Sequence, residues 1–201
     1  MNVKPILFLV GLFCSTGGGA VTILQMTLAQ ALSGSELVFE GRVIGQQVHP
    51  SPDQSLIYTY VTFQVMDVIK GQAPGDTVQL AFTGGTLGDL TLRIADMHVP
   101  EVGERGIYFV ESLSRQQANP LFGWDQGHYV VLVDPADKAQ KVYTRGRRPV
   151  TGFASEAAAQ TQELSSGHVL GLSVRQDEAS TGAMTLEAFK QGLRDRLRKG
   201  T

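Results

Sequence analysis

The clearest pattern in the chain lies between Ile57 and Ile69, where Val61, Phe63 and Val65 alternate with Thr62, Gln64 and Met66. A period of two puts the apolar set on one face of a β-strand and the polar or flexible set on the other. The same alternation returns over residues 77–82, with Val78, Leu80 and Phe82 on one side, and again over 90–94. Residues 36–45 read as a further strand, and Gly41 and Gly45 within it predict a bulge or sharp bend. Residues 106–110 are apolar throughout and suit a strand buried on both faces. Residues 129–133 and 141–144 flank Asp134-Pro135-Ala136-Asp137-Lys138, which predicts a hairpin whose turn exceeds two residues. Stretches dense in turn residues separate these strands at 49–54, 70–76 and 99–104. Long, bent, alternating strands joined by Gly/Pro turns predict a mainly β protein with a small barrel-like sheet.

Two segments carry a helical pattern instead. Residues 27–32 form a short helix with Thr27 as its cap and Gly34 as its stop. Near the end, Leu186, Phe189, Leu193 and Leu197 fall on one helical face. Thr185 caps that helix, Glu187 sits in its first turn, and Arg196, Arg198 and Lys199 precede Gly200, so each sign suits the helix dipole. Four apolar residues on one face predict that this helix packs on the sheet. Between these regions, residues 154–166 are rich in Ala, Gln, Ser, Thr and Glu with little periodicity, as in a surface loop or linker. The expected organisation is a signal peptide at 1–20, a β-barrel domain at 21–150, a surface loop or linker at 151–184 and the closing helix at 185–201.

The first residues bear on destination. Lys4 supplies one positive charge, residues 5–14 are apolar, and Ser15-Thr16-Gly17-Gly18-Gly19-Ala20 follow. A basic start, a short apolar run and small exit residues, in that order, form a secretory signal peptide. The run is shorter than the roughly 20 residues a bilayer span needs. Cleavage after Ala20 is preferred, with Ala29 as the alternative, and the expected location is periplasmic or secreted. Cys14, the one cysteine, lies within the signal behind bulky Leu12 and Phe13, which argues against a lipid anchor on it. The remaining chain then has no thiol for a disulfide, a nucleophile, a zinc ribbon or an iron–sulfur site. The formal net charge of −2 argues against nucleic acid as a partner. No later apolar stretch is long enough for an integral membrane segment.

Candidate chemistry is sparse. His49, His98, His128 and His168 lie in separate segments, without metal-ligand spacing; a metal site would need three of them to converge in space. The Gly84-Gly85-Thr86-Leu87-Gly88 loop lacks the Lys-Ser/Thr ending of a phosphate-binding loop, and no evident helix follows it. In Gly171-Leu172-Ser173-Val174-Arg175, Arg175 stands where a nucleophile elbow needs glycine. The carboxylates Glu101 and Glu104, and Asp134 and Asp137, flank turns, and turn chemistry accounts for both pairs. No catalytic residue, cofactor site or metal site is assigned on this reading. The candidates for partner contact are Trp124 and the cluster Arg145, Arg147 and Arg148. The tryptophan either anchors a partner or caps an open barrel end, and the arginines either meet an acidic group or form a solvated strand end.

From about Thr27 to Glu111 the chain resembles a group of exported bacterial proteins. The resemblance is carried by residues 36–43, 57–65 and Val68-Ile69-Lys70-Gly71, with the Gly84-Gly85 loop and Val102-Gly103-Glu104-Arg105. Such proteins look like OB-fold barrels of the kind found in netrin-like modules and tissue inhibitors of metalloproteinases. The resemblance implies an OB-like closed or partly open barrel and, as one alternative, an inhibitor or accessory protein of a secreted metalloprotease. Those inhibitors use an N-terminal cysteine, whereas the expected mature N-terminus here is Val21, so their mechanism does not carry over. The leading expectation is a non-catalytic exported binding or interaction module, with an undetected hydrolase as a further alternative.

Overall fold

The computed structural model describes residues 24–155, 165–175 and 182–200. The expected signal peptide, its preferred cleavage site after Ala20, and Cys14 lie outside the described residues. The protein is mainly β. Helix α1 (Leu28–Gly34) precedes β1 (Leu37–Pro50), β2 (Ile57–Lys70), β3 (Thr77–Thr83), β4 (Gly85–Leu87), β5 (Leu90–Leu92) and β6 (Arg105–Val110). A 3₁₀ turn (Trp124–Gly127) leads into β7 (His128–Val133), β8 (Gln140–Thr144), β9 (Val150–Phe153) and β10 (Leu172–Val174), and α2 (Leu186–Lys199) follows.

Six strands form one antiparallel sheet in the order β3-β2-β1-β6-β7-β8, with β3 and β8 as its edges. The glycines of β1 do what the sequence predicts. The β1–β2 register shifts between Glu40 and Gly41 and between Val43 and Gly45. Such bulges bend a strand and strengthen its twist, which lets β1 pair with two neighbours over different stretches. β1 also runs on through His49 and Pro50, which the sequence reads as a turn; the turn starts at Ser51, where Asp53 gathers the Ser51 and Ser55 hydroxyls. The hairpin expected around Asp134-Pro135 is present as β7–β8. The described parts of 151–184 are not featureless. β9 and β10 pair, and Val169 and Leu172 are buried, because this stretch covers the base of α1 and α2.

Both faces of the sheet are covered. In β6, Ile107 and Phe109 point to one apolar cluster while Tyr108 and Val110 point to another, which is why this strand is apolar at every position after Gly106. The first cluster lies under the helices and joins Leu28, Leu32, Leu186, Phe189 and Leu193 to Tyr129 and Val142. The second lies on the opposite face, where Leu80 and Phe82 of β3 meet Phe39, Phe63 and Tyr108. Strands two places apart share that cluster, so the sheet curves over it.

The helices are fixed by their ends. The Thr27 hydroxyl accepts from the Gln30 amide at 3.0 Å, and the Gln30 side chain accepts from the Thr27 amide at 2.9 Å, closing a capping box. Lys70, at the end of β2, donates to the α1 carbonyls of Leu32 and Ser33 and to that of Ser35. Helix α2 starts at Thr185, whose hydroxyl accepts from Ala188, and stops at Gly200 in a left-handed conformation. Its apolar face seats as the spacing predicts. The face beside it carries Lys190, which bonds Glu40 at 2.8 Å, Asp67 at 2.9 Å and Glu187 at 2.7 Å. Arg194 adds a 2.7 Å pair with Asp67, and Arg105 closes the network on Glu40 from the sheet.

Candidate binding cleft

The sheet splits at one place. β6 and β7 pair only over Gly106↔Val130, Ile107↔Tyr129 and Tyr108↔His128, whereas β7 pairs with β8 as far as Val133↔Gln140. Beyond Val130, β7 therefore has a partner on one side only. Across the gap stand Arg42 of β1 and the turn 101–104. That turn is committed to β1: Val43 donates to the Glu104 carbonyl and Gly103 donates to that of Val43, both at 2.8 Å. The 145–147 turn after β8 forms the third wall. Together they enclose a cleft of about 700 Å³.

Arginine dominates this cleft. Arg42, Arg105, Arg145 and Arg147 line it, against Glu101 and Glu104. Arg42 and Arg105 sit directly opposite one another across β1 and β6, an arrangement that costs stability unless a counter-charge answers it. Arg105 has one in buried Glu40. Arg42, Arg145 and Arg147 have no carboxylate within ion-pair distance among the described residues. Arg145 instead donates to Nδ1 of His98. Burial, Arg145 and His128 all push the His98 pKa down, so this ring is neutral near pH 7 and accepts through Nδ1.

His98 stacks on His128 with ring centres 5.9 Å apart, and His128 on Tyr108 at 5.0 Å. Nε2 of His128 meets Glu104 Oε1 at 2.7 Å, and the Tyr108 hydroxyl donates to the same oxygen at 3.3 Å. Burial raises the Glu104 pKa, but the His128 hydrogen bond and the attraction of both histidines outweigh it and leave the pKa below its usual value. Glu104 is thus an ionised, internally committed carboxylate, which requires the His128 hydrogen on Nε2. Nδ1 of His128 is buried without a partner among the described residues. Asp125 stands close by, its pKa raised by burial against the pull of Arg145 and His128. Two of the four histidines do converge, yet no group of three or more His, Cys, Asp or Glu among the described residues is placed to hold a metal.

The structure separates the four candidates for partner contact. Arg145 and Arg147 line the cleft. Arg148 is turned from it: its backbone amide bonds the Thr144 hydroxyl, and its charge acts on His168. Trp124 opens the 3₁₀ turn at φ 59°, half-buried, and does not line the cleft. Arg42 and the open end of β7 escape sequence reasoning, which notes His98 only as an isolated histidine, because each lies in a different segment and only the fold joins them. The Gly84-Gly85 pair serves close approach of strands. The Thr59 hydroxyl donates to the Gly84 carbonyl at 2.7 Å, and a Cβ on Gly85 would meet that hydroxyl at 2.6 Å. No family model, curated protein or solved structure matches the chain.

Proposed function

We propose that this chain is an exported, non-catalytic interaction module that holds its partner in the arginine-lined cleft. The observation that carries the reading is three guanidinium groups, on Arg42, Arg145 and Arg147, facing one cleft without carboxylate partners among the described residues. The lining includes no serine, threonine, cysteine or lysine, so it offers a binding surface and no hydroxyl, thiol or amine nucleophile. A signal-like N-terminus supports export. The order β3-β2-β1-β6-β7, with bent β1 shared between two neighbours, supports a partly open OB-like barrel. Function inferred from that fold alone would be analogy, and the cleft supplies the chemistry.

The test is affinity capture from the exported fraction of the native cells, with the wild-type chain and an Arg145→Glu/Arg147→Glu chain as baits. A partner enriched on the wild type and lost on the charge-reversed bait is the expected result. Equal capture by a variant with an unchanged melting temperature would remove the cleft from the binding function.

A further inference from the structure

Resting on the cleft as the binding face, we infer that its ligand is an extended acidic segment of a partner protein, added as a strand to the open edge of β7. The backbone supplies the first argument. Asp134 donates to the Ala139 carbonyl at 2.9 Å, so it faces β8. Facing alternates along an antiparallel strand, so Val133 turns its N–H and C=O the other way, into the gap where β6 has ended. Outside the sheet ladders no hydrogen bond of a described residue reaches either group, and β6 does not pair with Val133. The turn 101–104 is held away from the gap: its Gly103 amide and Glu104 carbonyl bond Val43 of β1, and its Glu104 amide bonds the Glu101 carbonyl within the turn. An edge with unanswered donors and acceptors is a template for a further strand.

The side chains supply the class of strand. An added strand presents every second residue to one face. Carboxylates at those positions meet Arg42, Arg145 and Arg147, for which guanidinium–carboxylate pairing is the natural geometry. The cleft offers little to a basic segment. Glu104 is taken by His128 and Tyr108, and Glu101 remains as an exposed carboxylate on the rim. Val102 and Val133, exposed to 62% and 61%, lie at the same cleft and give the intervening residues an apolar contact. Backbone bonds supply affinity in this mode, and the arginines supply selectivity.

Fluorescence anisotropy with a short labelled peptide alternating Glu with Thr tests the proposal on the full chain. Three comparisons accompany it: the same peptide N-methylated at alternate backbone nitrogens, a Lys-for-Glu peptide, and dextran sulfate as an anion without a peptide backbone. The Glu peptide binds, N-methylation weakens it about tenfold, Arg147→Glu weakens it to a similar degree, and the Lys peptide does not bind. Undiminished binding of the N-methylated peptide, or dextran sulfate binding that matches the Glu peptide, would overturn strand addition. Failure of the Glu peptide while the wild-type bait still captures an arginine-dependent partner would overturn the peptide class and leave the cleft standing. Capture indifferent to the arginines would instead overturn the cleft.

Discussion

Glu40 and Arg42 stand two residues apart on β1 and belong to regions of opposite design. Glu40 is 2% exposed and answered from both sides, by Arg105 and by Lys190, which in turn reaches Asp67 and Glu187. Arg42 opens onto a cleft where it, Arg145 and Arg147 find no carboxylate among the described residues. The difference follows from solvent. A buried charge without a partner is costly, so the network under α2 had to be completed within the chain. A charge facing water carries no such demand, and the cleft keeps its cations available. The finished region holds the fold together, and the unfinished one is where the proposed partner would sit.

Breaking the finished region has the largest expected effect. Glu40→Ala leaves Arg105 and Lys190 facing a vacated buried position and costs about 4 kcal/mol in urea denaturation. A smaller loss comes from the seat of α2. Gly192 lies mid-helix, where alanine ordinarily gains about 1 kcal/mol. A Cβ there would come within 2.1 Å of the Phe153 ring, which is held between Phe189 and the Arg196 guanidinium. Gly192→Ala therefore destabilises the protein, by about 1 kcal/mol, where helix propensity alone predicts the reverse.

The network also has a pH signature. Burial pushes the Asp67 pKa up, but hydrogen bonds from Lys190 and Arg194 outweigh it and hold the pKa below the ordinary 3.8. A depressed carboxylate pKa stabilises the fold above the unfolded value, and that stability is lost as pH falls through the folded value. The melting-temperature gap between wild type and Asp67→Asn is therefore present near neutrality and closes below about pH 4. The smallest effect belongs to the cleft. Arg147→Glu, on an exposed turn, leaves the melting temperature within about 2 °C of wild type.

What the sequence shows of this fold is what local periodicity and turn chemistry encode. The alternation in β2, the wholly apolar β6, the Asp134-Pro135 hairpin and the one-sided α2 each follow from residues close together in the chain. The β9–β10 pair does not, because short strands separated by 18 residues leave no period to detect. The cleft was legible only in part. Arg145 and Arg147 attract notice as a basic cluster, but neighbours in sequence diverge at the turn, and Arg148 leaves for the other side. Arg42, His98 and Val133 arrive from three further segments, and their meeting depends on where β6 stops pairing with β7. A register end of that kind is set by tertiary packing and leaves no mark in composition.

The most direct test of the contrast between the two regions is a map of backbone amide shifts in the isotope-labelled protein as the Glu–Thr peptide is added. Shifts concentrated at Val133, Val102, Arg42 and residues 145–147, with Glu40, Asp67 and Lys190 unmoved, are what the structure predicts. Shifts gathered on α2 and its network, or spread evenly over the surface, would contradict it.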